Sequence, residues 1–151
     1  MDEITIKPIG IVLNDRKEAI DDNWSSVESI IELTDDLPDE CLDGIEAFSH
    51  LEILYHFNKS TKTITDSEHP RENKDYPKVG IFAQRKKDRP NHLGATIVNL
   101  IGRNGRRLIV SNLDAINGTP VIDIKPVFKE YLPENEIKQP QWSSDLMTNY
   151  W

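Results

Sequence analysis

Two stretches of this 151-residue chain hold side chains whose types and spacing could do chemistry. The first runs Gly80-Ile81-Phe82-Ala83-Gln84-Arg85 and resumes at Arg89-Pro90-Asn91-His92-Leu93-Gly94. Arg85 closes a short apolar run, and Arg89 opens a turn stiffened by Pro90. Two guanidiniums near one loop suit a carboxylate or a phosphate, because the planar fork meets such groups bidentately. Gly94 allows a bend or the close approach of a ligand. The plain alternative is an exposed turn with ordinary surface arginines. The second stretch is Asp114-Ala115-Ile116-Asn117-Gly118-Thr119-Pro120-Val121-Ile122-Asp123-Ile124-Lys125-Pro126. Asp123 and Lys125 share a strand face across Ile124. The plain reading there is a turn and an edge strand, with Asp114 capping the turn.

Other chemistries are poorly supported. His50, Glu52 and His56 share a strand face, but at about 3.3 Å per residue the two imidazoles would lie roughly 20 Å apart and could not clasp one ion. His50 with Glu52 alone supplies too few ligands, so no metal is expected. There is no GxGxxG after a strand and no GxxxxGK[ST] loop. Without a GxSxG elbow, Ser49 reads as structural. Cys41 stands beside Asp39, Glu40 and Asp43, whose charges disfavour a thiolate.

Acidic residues number 26 and basic ones 18, for a net charge of -8, and 37% of residues are hydrophobic. That balance suits a folded single domain and argues against disorder. No apolar run is long enough to span a bilayer, and no secretory h-region opens the sequence. A single cysteine cannot form an internal disulfide, so a reducing, cytoplasmic setting is expected. The charge is uneven: residues 1–75 carry 7 basic and 19 acidic groups, 76–110 carry 8 and 1, and 111–151 carry 3 and 6. The basic middle is a candidate anion or nucleic-acid surface. Its plain alternative is a solvated rim in which Lys86, Lys87, Arg106 and Arg107 pair with the acidic first half.

Short strands must position these groups. Strands are expected at 4–13, interrupted at Pro8 and Gly10, and at 27–33, 48–57, 79–84, 95–101, 108–113 and 120–126. In the fourth decade TDDLPDECLDG suggests turns and one helical turn. Leu51, Ile53, Tyr55 and Phe57 fall on one face of their strand, opposite His50, Glu52, Leu54 and His56. GRNGRR reads as a hairpin, and Asn117-Gly118 as another tight turn. Residues 58–78 form a long polar loop, a length that is often functional. The fold class is therefore mainly β, a small antiparallel barrel or sandwich over residues 1–132 with short helical turns and long loops. Residues 133–151 form a polar tail or arm carrying Trp142, Tyr150 and Trp151.

Across Pro8-Ile9-Gly10, Gly44-Ile45-Glu46-Ala47-Phe48-Ser49-His50-Leu51, GIFAQR at 80–85, RPNHLG at 89–94 and LDAINGTPVIDIKP at 113–126, the sequence resembles the TsaA-like family, also called TrmO- or YaeB-like. The resemblance implies a closed antiparallel β-barrel, a homodimer, and S-adenosyl-L-methionine (SAM) bound without a Rossmann domain. It also implies N6-methylation of a threonylcarbamoyl-modified adenosine at position 37 of tRNA. By the same resemblance Arg85, Ala95 and Ser111, Asn112, Leu113 and Asp114 fall on cofactor-contacting positions. Asn58 and Lys59 stand where the family often has His-Gln. A further contact near Trp24 to Ser26 is expected, though the match there is poor. Arg89, Asn91 and His92 are candidate substrate contacts, and Asp114 is a candidate proton acceptor or cofactor ligand. The family turn Arg-Pro-Asn-Pro-Ile-Gly has His92-Leu93 here in place of Pro-Ile. The longer members' C-terminal domain, implicated in tRNA contact, has no counterpart in these residues. Methyl transfer to a small molecule or a protein, and a non-catalytic SAM- or nucleotide-binding module, are the rival readings.

Overall fold

A computed structural model describes residues 1–151. Eight strands appear in chain order: β1 (Gly10–Leu13), β2 (Glu28–Leu33), β3 (His50–His56), β4 (Ser67–Glu68), β5 (Val79–Gly80), β6 (Leu93–Asn104), β7 (Arg107–Ser111) and β8 (Pro120–Pro126). Six of them close a barrel in the order β1-β2-β7-β6-β3-β8, and every pairing is antiparallel. Closure removes both sheet edges, which a small open sheet would leave bare. It is completed where Gly10 and Ile11 of β1 meet Val121 and Pro120 of β8. β4 and β5 form a separate two-residue ribbon beside the barrel.

The alternation read in β3 is realised: Leu51, Ile53 and Tyr55 point inward at no more than 2% exposure, while His50 is exposed. Val12, Ile31, Val98, Leu108, Val110 and Val121 complete the interior from the other strands. The predicted hairpin joins β6 to β7 through Gly105 and Arg106, with Gly105 at φ 59°. Bulges at Ile101 and Ile122 shift the β6–β7 and β3–β8 registers.

Three expectations need correction. Residues 4–9 are not a strand; Ile4 and Ile6 are 86% and 53% exposed, because backbone pairing begins only at Ile9, whose N–H donates to Val121 O. The strand expected at 79–84 stops at Gly80, and Ile81–Ala83 form a 3-10 turn. There the buried Gln84 side chain folds back over the β4–β5 ribbon, donating to Glu68 O (2.9 Å) and Val79 O (3.0 Å). The basic middle does not act as one surface. Arg103 pairs with Asp43 and donates to Leu42 O and Asp39 O, Arg106 donates to Leu37 O and Thr34 O, and Arg107 pairs with Glu32. These arginines, and Lys86 through Glu68, belong to the acidic first half, as the plain reading had it, and Arg85 remains apart.

Residues 133–151 run through exposed chain into one short helix, α1 (Gln141–Leu146). The end of the tail returns to its own barrel, where Asn23 N donates to Asn149 O and Trp24 N to Tyr150 O, both at 2.8 Å. Trp24 is itself buried, under the Arg16 guanidinium 4.1 Å from its ring centre.

Gly94 lies opposite Tyr55 in the β3–β6 pairing, and a Cβ there would sit 2.6 Å from the Tyr55 ring and 2.9 Å from that of Phe57. Gly94→Ala should therefore cost about 1–3 kcal/mol by overpacking, read as a lowered urea midpoint.

Candidate active site

A concavity of about 1660 Å³ opens at the β3–β6 side of the barrel, and its walls bring together distant parts of the chain. Strand ends contribute Tyr55 and Thr96, the 79–89 segment contributes Phe82 and Arg85, the loop after β7 contributes Asp114, and the tail contributes Trp142 and Tyr150.

Local sequence explains each placement. In Gly80–Arg85, Ile81 and Gln84 are buried anchors, while Phe82 is 78% exposed and Arg85 emerges beside it. Arg85 donates from Nη2 to Ala95 O, and its other guanidinium N–H groups have no protein partner. Arg89 serves the loop itself, donating to Gln84 O at 2.7 Å, though it also lines the cleft. Lys86 is held by Glu68 at 3.1 Å.

Beyond β7 the chain turns at Asn112, which takes φ 61°. Leu113 and Ala115 then enter the core, so Asp114 between them faces the cleft. Asn14 clamps this loop by donating to Ala115 O and to the buried Ser29 Oγ, each at 2.9 Å. Asp114 Oδ1 accepts from Tyr55 OH (2.9 Å) and from Thr96 Oγ1, and Oδ2 accepts from Tyr150 OH. Burial, then the Asp114 charge, pushes the Tyr55 phenol well above its ordinary value. Tyr150 is raised by the same two causes in the same order, with the Arg85 and Arg71 charges pulling the other way. Both phenols are held as donors.

The residues singled out by sequence do not all meet here. Arg85, Ala95, Asp114, Asn58, Lys59 and Arg89 line the cleft. Ser111 is turned to Asn99 Nδ2 (3.1 Å), Leu113 is wholly buried, and Asn112 provides the bend. Asn91 and His92 lie outside the wall, in left-handed conformations at φ 64° and 49°. Proline cannot adopt the latter, a conformation open to His92. Its ring bridges Thr63 Oγ1 (3.0 Å) and Lys87 O (3.2 Å). His50 and His56 stand at opposite ends of β3. Sequence reasoning missed Tyr55, Thr96 and Tyr150 as partners of Asp114. The alternation of β3 hides Tyr55 among core residues, and Tyr150 lies 36 residues away in the chain. Trp24, whose neighbourhood was only loosely expected to matter, does line the cleft.

The fold is thus a closed β-barrel whose cleft bears one largely unpartnered guanidinium, Arg85, and one hydroxyl-bound carboxylate, Asp114. Residues 20–132 match the family described as "tRNA-methyltransferase O N-terminal domain", and the chain belongs to that family. It is 33% identical over 142 residues to a probable S-adenosyl-L-methionine-binding protein of Pyrococcus abyssi, covering 90% of this chain and 72% of that protein. It is 34% identical over 112 residues to the human tRNA (adenine(37)-N6)-methyltransferase, covering 74% of this chain and 25% of that one. The crystal structure of TrmO from Pseudomonas aeruginosa superposes with a TM-score of 0.77 at 25% identity, covering 94% of this chain and 62% of that one. The chain thus spans a quarter of the human enzyme and under two thirds of the bacterial one.

Raised phenols lend stability that is complete below their ordinary value of 10.0 and is lost as pH rises above it. In an alkaline titration followed by tyrosinate absorbance, Tyr55 and Tyr150 should stay un-ionised above pH about 10 until the barrel opens. Tyr55→Phe and Tyr150→Phe should each remove one late-ionising phenol.

Proposed function

We propose that this protein uses SAM to methylate N6 of a threonylcarbamoyl-modified adenosine at position 37 of tRNA. The coarser part follows from family membership: it is a SAM-dependent methyltransferase of the TrmO family. The finer part, the acceptor, is suggested by the relative named as a tRNA (adenine(37)-N6)-methyltransferase, while the cleft itself supports the cofactor. The observation that carries the reading is the pairing of Arg85, with free N–H donors, and Asp114, with acceptor capacity left, in one cleft.

That donor set fits the cofactor. A carboxylate suits the Arg85 fork. An ammonium or amine N–H suits the unfilled position on Asp114, since a carboxylate accepts at about four sites and three are taken. A cationic sulfonium or an adenine suits the exposed Phe82 ring and the Trp142 and Tyr150 rings. When bound, SAM supplies an electrophilic methyl group. The protein's own part is alignment and exclusion of water: Arg85 binds, Asp114 orients, and the aromatic walls shield. Tyr55 and Thr96 keep the carboxylate turned toward the cleft by donating to its inner oxygen.

For tRNA, the cleft wall offers Lys59, Lys87 and Arg89 as phosphate contacts, and RNA binding through them should weaken steeply with salt. Because Arg103, Arg106 and Arg107 are spent on the first half of the chain, that basic surface is small, which favours a compact acceptor as the second reading.

Arg85→Ala should weaken SAM binding at least tenfold in calorimetry, and equal affinity would remove Arg85 from the site. Incubated with methyl-labelled SAM and cellular RNA, the protein should label tRNA. Label in small molecules alone would move the acceptor to the second reading.

A further inference from the structure

The C-terminal segment reaches the centre of the cleft. Backbone hydrogen bonds from Asn23 and the buried Trp24 hold Asn149 and Tyr150 in place. Trp151 packs edge-on against the Tyr150 ring, with centroids 4.9 Å apart. From that anchored position the Tyr150 hydroxyl donates to Asp114 Oδ2, the oxygen that Tyr55 and Thr96 leave alone.

We propose that Tyr150 is a positioning residue: its hydroxyl, delivered by the chain's own C-terminal segment, fixes the Asp114 carboxylate for the cofactor. Tyr55 and Thr96 hold Oδ1, but two donors on one oxygen leave the other oxygen with two open positions. Tyr150 fills one of them and leaves a single, directed acceptor site on Oδ2. A directed site binds a cofactor N–H at less cost in ordering than a free one. Asp114 comes from the loop after β7 and Tyr150 from the end of the tail, so the site is incomplete without residues beyond the barrel.

The inference rests on reading the cleft as the SAM site, and the test separates the two. Calorimetry with SAM on the full chain comes first; if the unaltered protein binds none, that reading falls and Tyr150 with it. Tyr150→Phe keeps the ring and removes only the donor. It should weaken binding about tenfold at unchanged stoichiometry. Asp114→Asn should weaken it further, and adding Tyr150→Phe to Asp114→Asn should change affinity less than twofold, because the hydroxyl acts only through the carboxylate. Unchanged affinity in Tyr150→Phe, or losses that multiply in the double variant, would overturn the proposal. If Asp114→Asn does not fold, Tyr150→Phe alone decides. A merely structural role lowers the number of sites at unchanged affinity, whereas positioning lowers affinity at an unchanged number of sites.

Discussion

The Asp114 carboxylate and the hydroxyls around it form the interaction on which the site depends. A half-buried charge is tolerated only when donors satisfy it. Here the donors come from the paired strands β3 and β6 and from the tail, which belongs to neither. Because breaking one such hydrogen bond strands a charged acceptor, the network gives the cleft a definite shape that apolar packing alone would not impose. The barrel supplies the frame. Gly94 leaves room for the Tyr55 ring, and that ring reaches the carboxylate.

Charge is partitioned by the same logic. Of the β6–β7 hairpin arginines, Arg103 and Arg106 are consumed by carbonyls and carboxylates of the 33–46 segment and Arg107 by Glu32 of β2. Arg85 differs in kind: it is exposed, touches one backbone carbonyl, and keeps the rest of its fork for a ligand. Arginines that look equivalent in a charge count are thus separated by their partners.

What was legible in the sequence was what local physics dictates. Alternation in β3 revealed its faces, and the Gly105 turn revealed the β6–β7 hairpin. Motif resemblance, not local physics, singled out Arg85 and Asp114, and both line the cleft. The misread elements are those that tertiary partners decide. Ile4 and Ile6 look like strand residues but find no neighbour, and the apolar run after Gly80 folds into a turn that buries the Gln84 side chain on the Glu68 and Val79 carbonyls. The role of Tyr150 was invisible, since a tyrosine in a polar tail carries no sign of a carboxylate 36 positions earlier.

A crystal structure of this protein with S-adenosylhomocysteine tests the central claim most directly. The account predicts the ligand in the cleft, its carboxylate on the Arg85 guanidinium and one of its N–H groups on Asp114. Ligand density confined to the opposite groove near Ile9, Leu37 and Phe48, with Arg85 and Asp114 untouched, would contradict it.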